Sequence, residues 1–158
     1  MKNPFLHFVF LLLLTIAGTG TLIAQTQVVL DDKMFSGNWF DSMDDAKKNP
    51  EKVYYLDLSL QKLKTFPVEI FTFTNLKELY LPYNYWTSIP ATGWEKLAKL
   101  EILDLSGNYY LNKLPSDGLG QLKALKSLLL KDNKLNAGEA EKAAKALPNA
   151  KVEATAHK

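Results

Sequence analysis

One spacing limits what this chain can fold into. Leu56, Leu79, Leu103 and Leu128 follow one another at 23, 24 and 25 residues, and each sits inside the same phrase. The four copies read "VYYLDLSLQKL" from Val53, "LKELYLPYNYW" from Leu76, "LEILDLSGNYYL" from Leu100 and "LKSLLLKDNKL" from Leu125. Copies one to three run on into Phe66-Pro67, Ile89-Pro90 and Leu114-Pro115. A period in this range marks a stack of short structural units, each too small to bury its own apolar side chains.

Each unit can be read residue by residue. In L-x-L the two leucines share one face of a short strand, and the residues between and beside them face the other way. After the turn, Ile70, Phe73 and Leu76 recur every third residue, as do Trp94, Leu97 and Leu100, and Leu119, Leu122 and Leu125. That interval suits a 3₁₀ or short helical return. The polar column Gln61, Asn84, Asn108, Asn133 sits where the strand turns. An amide side chain there can pair with turn backbone groups that the stack would otherwise orphan. Gln61 departs from the Asn of the other copies, which fits a terminal repeat with a looser ladder.

The phrase L-x-x-L-x-L-x-x-N-x-L, followed by Leu-Pro, resembles the leucine-rich repeat family in its class of about 23–24 residues. The resemblance spans Val53 to Leu135 directly. It implies an α/β solenoid: a right-handed arc with a parallel β-sheet on the concave face, 3₁₀ or short helical returns on the convex face, and a helical cap at each end. The organisation expected is a signal peptide over 1–24, an N-terminal cap over 25–52, four repeats over 53–135 and a C-terminal cap over 136–158.

In the first cap, "DSMDDAKKNPE" predicts a helix near 42–48 with Ser42 as N-cap, Asp44 and Asp45 in its first turn, Lys47 and Lys48 in its last and Pro50 as stop. Phe35, Trp39 and Phe40 are expected as lids on the first repeat. In the second cap, Asn136 with Glu139 forms a capping box, and Ala140, Ala143, Ala144 and Leu147 make the apolar face. Val152 and Ala154 lie 24 residues after Leu128 and Leu130, which predicts a degenerate fifth strand.

Composition removes several function classes. The chain has no Cys, hence no disulfide, thiolate metal site or Cys nucleophile. Its two histidines, His7 and His157, lie near the chain ends, which leaves little for a catalytic triad or a His-based metal site. We therefore expect no enzyme, cofactor or metal. Net charge is +2, and all 19 basic residues are Lys. Without Arg forks or a dense Lys cluster, nucleic acid is not expected as a partner. The N-terminus runs from Lys2 through an apolar stretch, Phe5 to Ala17, into small and polar residues. That is the order of a secretory signal, cleaved after Ala24 or Gly20, and an uncleaved membrane anchor is the rival reading. Once the signal is removed, no stable membrane insertion is expected. Export, to the periplasm or outside a bacterial cell, is the expected destination; extracellular eukaryotic members of the family usually staple their caps with disulfides.

The aromatics of "LPYNYWTSIP" and "LSGNYYLNKLP" sort by column. Trp94 shares a slot with Ile70 and Leu119, and Trp86 with Leu63 and Leu135, so both belong to the core. In copy three, which has one extra residue, Leu111 takes the core slot and Tyr109 and Tyr110 are pushed outward. The outward strand positions include Tyr55, Asp57, Glu78, Tyr80, Ile102, Asp104, Leu129 and Lys131, with Tyr83, Tyr85, Tyr109 and Tyr110 along the adjoining edge. These twelve are the candidate protein-binding residues. Exposed Tyr with interspersed Asp would also suit a glycan, whose sugar faces stack on a flat aromatic platform. A protein partner is the first expectation and carbohydrate or cell-wall binding the second; the oligomeric state is not written in the pattern.

Overall fold

The computed structural model describes residues 37–155. Residues 1–24, expected as a signal peptide, together with Phe35 and His157, lie outside the described residues. Six parallel strands form one sheet in strict chain order: β1 (Trp39–Phe40), β2 (Tyr55–Asp57), β3 (Glu78–Tyr80), β4 (Ile102–Asp104), β5 (Ser127–Leu130) and β6 (Lys151–Ala154). The leucines at the centre of the repeats are in register, Leu56 to Leu79 to Leu103 to Leu128, and Val152 continues the row. The degenerate strand expected from Val152 and Ala154 is therefore β6. A sixth strand, β1, precedes the first repeat and pairs Trp39 with Tyr55 and Phe40 with Leu56.

Between strands the chain returns through 3₁₀ turns at Val68–Thr72 and Trp94–Lys96 and through the short helix α2 (Ser116–Leu119). Their inward residues Ile70, Phe73, Trp94, Leu97 and Leu119 are buried, as are the paired strand leucines. Each fully buried Leu contributes about 1.5–3 kcal/mol relative to exposure. The Leu-Pro turns add an aromatic cluster. The Phe66 ring lies 5.8 Å from that of Phe71, 5.5 Å from that of Trp86 and 5.6 Å from that of Trp94. Gly93 makes room for it: its φ is +103°, and a Cβ there would fall 2.6 Å from Phe71 Cδ2. Trp86, Trp94 and Leu111 are fully buried, while Tyr109 and Tyr110 are exposed, as the columns require.

The caps differ from expectation in detail. Helix α1 spans Met43–Ala46, capped by Ser42 Oγ accepting from the Asp45 amide at 3.3 Å. Pro50 does more than stop it, because it opens a 3₁₀ turn, Pro50–Lys52. Helix α3 (Ala137–Ala146) is capped by Asn136 Oδ1 accepting from the Glu139 amide at 3.0 Å. The capping box is only half made, because the Glu139 carboxylate points away to accept from the Leu114 amide at 2.9 Å. Glu139 is thereby buried with Ala143 and Leu147, and Ala144 faces solvent. The inward stripe of α3 is rotated toward the third repeat because Glu139 anchors it there.

Candidate functional site

The polar column builds the platform on which the candidate residues stand. Asn108 Oδ1 accepts from the Asn84 amide at 3.0 Å, and Asn133 Oδ1 accepts from the Asn108 amide at 2.9 Å. Each Asn also donates from Nδ2 to its own repeat and to the one before. Asn108 reaches Leu105 O at 2.7 Å and Leu81 O at 3.2 Å, and Asn84 reaches Leu81 O and Leu58 O. Gln61 does not belong to this ladder. It is exposed and donates to Asp41 O at 2.9 Å, and the Leu63 amide takes its place against Asn84 Oδ1. Copy one turns twice through positive φ, at Leu60 and Lys62, which carries Gln61 outward.

The residue before each ladder position is left-handed: Leu60, Tyr83, Gly107 and Asp132 have φ of 60°, 58°, 68° and 58°. After Tyr83 and Gly107 the following amide donates into the ladder. For residues as bulky as Leu60 and Tyr83 the left-handed twist costs about 1–2 kcal/mol each. Gly107 serves a second purpose, since a Cβ there would come within 2.3 Å of Tyr83 Cδ1. The Tyr83 ring thus lies across the backbone of the next repeat. The presence of Gly and Asp in this column was the signal that its Tyr and Leu are conformationally constrained.

The outward strand positions form the open face of the sheet. Neighbouring rows read Trp39, Tyr55, Glu78, Ile102, Ser127 and, two residues on, Asp57, Tyr80, Asp104, Leu129, Glu153. Trp39, expected as a lid, is on this face. Its ring stacks on Tyr55 with centroids 6.1 Å apart and leans on Tyr80 at 6.0 Å. No repeat spacing pointed to it, because Trp39 precedes Tyr55 by only 16 residues. Its one sequence signal was the alternation of Trp39 with the inward Phe40.

Several candidates also serve the fold. Glu78, placed among the outward contacts, is buried at 8% exposure and accepts from the Tyr80 hydroxyl at 2.8 Å. Asp57 and Asp104 each accept from the amide two residues on, Ser59 at 2.9 Å and Ser106 at 2.8 Å, which shapes the exit of the strand. Burial, then the bond to Glu78, then the charges of Glu78, Asp104 and Asp57 raise the Tyr80 phenol above its ordinary range, so it remains a neutral donor. Ile102 and Leu129 are half-buried. Lys131 is exposed and pairs with Glu153 at 2.9 Å.

Along the edge, exposure rises. Tyr83 and Tyr85 are each 46% exposed, Tyr110 57%, Tyr109 64% and Leu60 69%. Tyr85 and Tyr110 meet edge to face, at 6.3 Å and 80°. A surface depression of about 560 Å³ lies between α2 and α3 and is lined by Lys113, Ser116, Glu139, Lys142 and Lys145 among others. It includes none of the twelve candidates. Among the described residues, no group of three or more His, Cys, Asp or Glu could hold a metal ion, and no helix is long and apolar enough to cross a membrane.

A family model described as leucine rich repeat matches residues 51–109 and 74–135, together more than half of the chain. The chain belongs to the leucine-rich repeat family, whose members generally mediate protein–protein interaction and are typically non-enzymatic. A probable serine/threonine-protein kinase, roco5 of Dictyostelium discoideum, is 42% identical over 66 residues, which make up 40% of this chain and 2% of that protein. A leucine-rich repeat protein of Leptospira interrogans is 30% identical with a TM-score of 0.45, over 67% of this chain and 33% of its own. Internalin C2 from Listeria monocytogenes is 19% identical with a TM-score of 0.49, over 73% of this chain and 57% of its own. The matched part is in each case less than two thirds of the other protein.

Proposed function

We propose that this chain is a non-enzymatic recognition module that binds a protein partner through the open face of its sheet and the adjoining tyrosine edge. The observation that carries the reading is the company of four exposed tyrosines with Leu60, beside a half-buried face of Trp39, Tyr55 and Tyr80. Tyr and Trp are enriched where interfaces concentrate their energy, because a large rigid ring buries much area at little entropic cost. A glycan is less well served, because the Tyr85 and Tyr110 rings stand at 80° rather than offering one flat platform.

The structure refines the choice of variants. Tyr80 satisfies Glu78 and Tyr83 packs over Gly107, so substituting either also perturbs the fold. Tyr85→Ala with Tyr109→Ala removes exposed rings alone. Affinity capture should lose its specific protein with this pair while circular dichroism stays unchanged. Equal capture by both proteins would place the contact elsewhere. A glycan array gives hits only if the second reading is right. Export is part of the same proposal: N-terminal sequencing of the chain from a cell envelope or medium fraction should begin at Gln25 or Thr21. Recovery of an intact N-terminus in the membrane would favour the anchor.

A further inference from the structure

Charge is distributed unevenly over the open face. From β1 to β4 its outward residues are Trp39, Tyr55, Asp57, Glu78, Tyr80, Ile102 and Asp104. Two half-buried carboxylates, Asp57 and Asp104, therefore share the face with three packed aromatic rings above the buried Glu78, and these positions hold no Lys, in a chain whose net charge is +2. Asp57 and Asp104 are the register partners of Tyr80 on either side. The nearest lysine in sequence, Lys77, lies over the Tyr54 ring at 5.6 Å. At the other end of the sheet the balance is restored, because Glu153 is paired with both Lys131 and Lys151.

We infer that the β1–β4 half of the face receives a basic segment of a protein partner, with Lys or Arg side chains lying on the Trp39–Tyr80 rings and their charged heads against Asp57 and Asp104. This rests on the recognition reading above and specifies its chemistry. A cation over Trp or Tyr is attracted by the ring quadrupole, and the aliphatic stem of Lys or Arg packs on the same surface. The carboxylates supply the complementary charge, each with one oxygen committed to its strand-exit turn. Like charges are excluded by the same arrangement, which makes it a selector as well as a binding surface.

The test uses the purified protein and an array of random peptides about twelve residues long, sorted by net charge. The bound set should be enriched in Lys and Arg, and resynthesis with citrulline for Arg or acetyl-lysine for Lys should abolish binding. Asp57→Asn with Asp104→Asn keeps an acceptor for Ser59 and Ser106, so the fold survives, yet it should weaken the basic peptides about tenfold or more. Raising the salt should do the same to the parent protein. Basic peptides held equally by the double variant, or a bound set without charge bias, would overturn the inference. If unbiased binders are lost on Tyr85→Ala with Tyr109→Ala, the recognition reading stands without its charge selectivity. If no peptide binds, the inference fails, while the recognition reading is decided separately by the affinity capture described above.

Discussion

The two ends of the sheet solve the same problem with different chemistry. A stack of repeats exposes its last layer of leucines, and each end here is closed by a strand outside the repeat phrase. At the C-terminal end, β6 keeps the 24-residue register, sets charged Lys151 and Glu153 toward solvent and is backed by α3. At the N-terminal end, β1 has two residues, both aromatic, and its outward Trp39 stacks across β2 to reach β3. The C-terminal cap is charge-balanced and held by a buried carboxylate, and the N-terminal strand is aromatic beside an acidic row. One end is finished with paired charges, while the other leaves stacked rings on the open face.

The comparison depends on an intact frame between the ends, and the largest effect should come from breaking it. Asn108→Ala would orphan the Asn84 amide and remove one of the two side-chain donors that each of the Leu81 and Leu105 carbonyls receives in the buried ladder. A loss of about 4 kcal/mol is expected in urea melts, enough to unfold a marginal domain. Gln61→Ala, at the open end of the same column, should cost well under about 1 kcal/mol. Equal effects would mean that the ladder extends into the first repeat after all.

Next in size is Glu139→Ala, which should cost about 2–3 kcal/mol by leaving the buried Leu114 amide without an acceptor. Glu139→Gln keeps the acceptor, loses only the ion pair with Lys142 and should recover most of that. The Leu114 amide and then Lys142 hold this carboxyl below its ordinary value, so its contribution should fade as the pH falls below the usual Glu range. Trp39→Ala should cost about 2 kcal/mol, the worth of two ring contacts at a half-exposed site. Its effect on partner binding should be larger than its effect on the melt. If stability falls and binding does not, the N-terminal end is only a lid.

The smallest effect belongs to the charges on β6. The bonds from Lys131 and then Lys151 hold Glu153 down to about 2, against an ordinary 4.5. A depressed carboxyl stabilises the fold above its unfolded value, and that contribution disappears as the pH drops from about 4.5 toward 2. Amide exchange in β6 should quicken across this window while β3 and β4 stay protected. Both lysines are well exposed, so high salt should flatten the dependence.

Much of this molecule was legible in its sequence because burial repeats with the chain. The strand leucines, the Asn column, the core places of Trp86 and Trp94 and the outward Tyr109 and Tyr110 all follow from aligning copies. A position that must be apolar in one layer must be so in the next. Contacts that join a repeat to a cap do not repeat, and those were the ones missed. Trp39 pairs with Tyr55 across an interval found nowhere else in the chain. Glu139 reads as a local capping residue and serves instead a backbone amide 25 residues upstream. Gln61 stands in the right column, but two left-handed residues turn it out of the ladder.

By itself the sequence determined the period, the sheet, the buried face and the three Asn of the ladder, since each is set by the chemistry of a single column. Tertiary structure decided which outward residues remain available. Glu78 is buried under the Tyr80 hydroxyl, Asp57 and Asp104 each commit an oxygen to a turn, and Trp39 joins the face from a strand that no motif announces. Exposure is a property of what packs alongside, and the residues that pack alongside here come from a cap that lies outside the repeat.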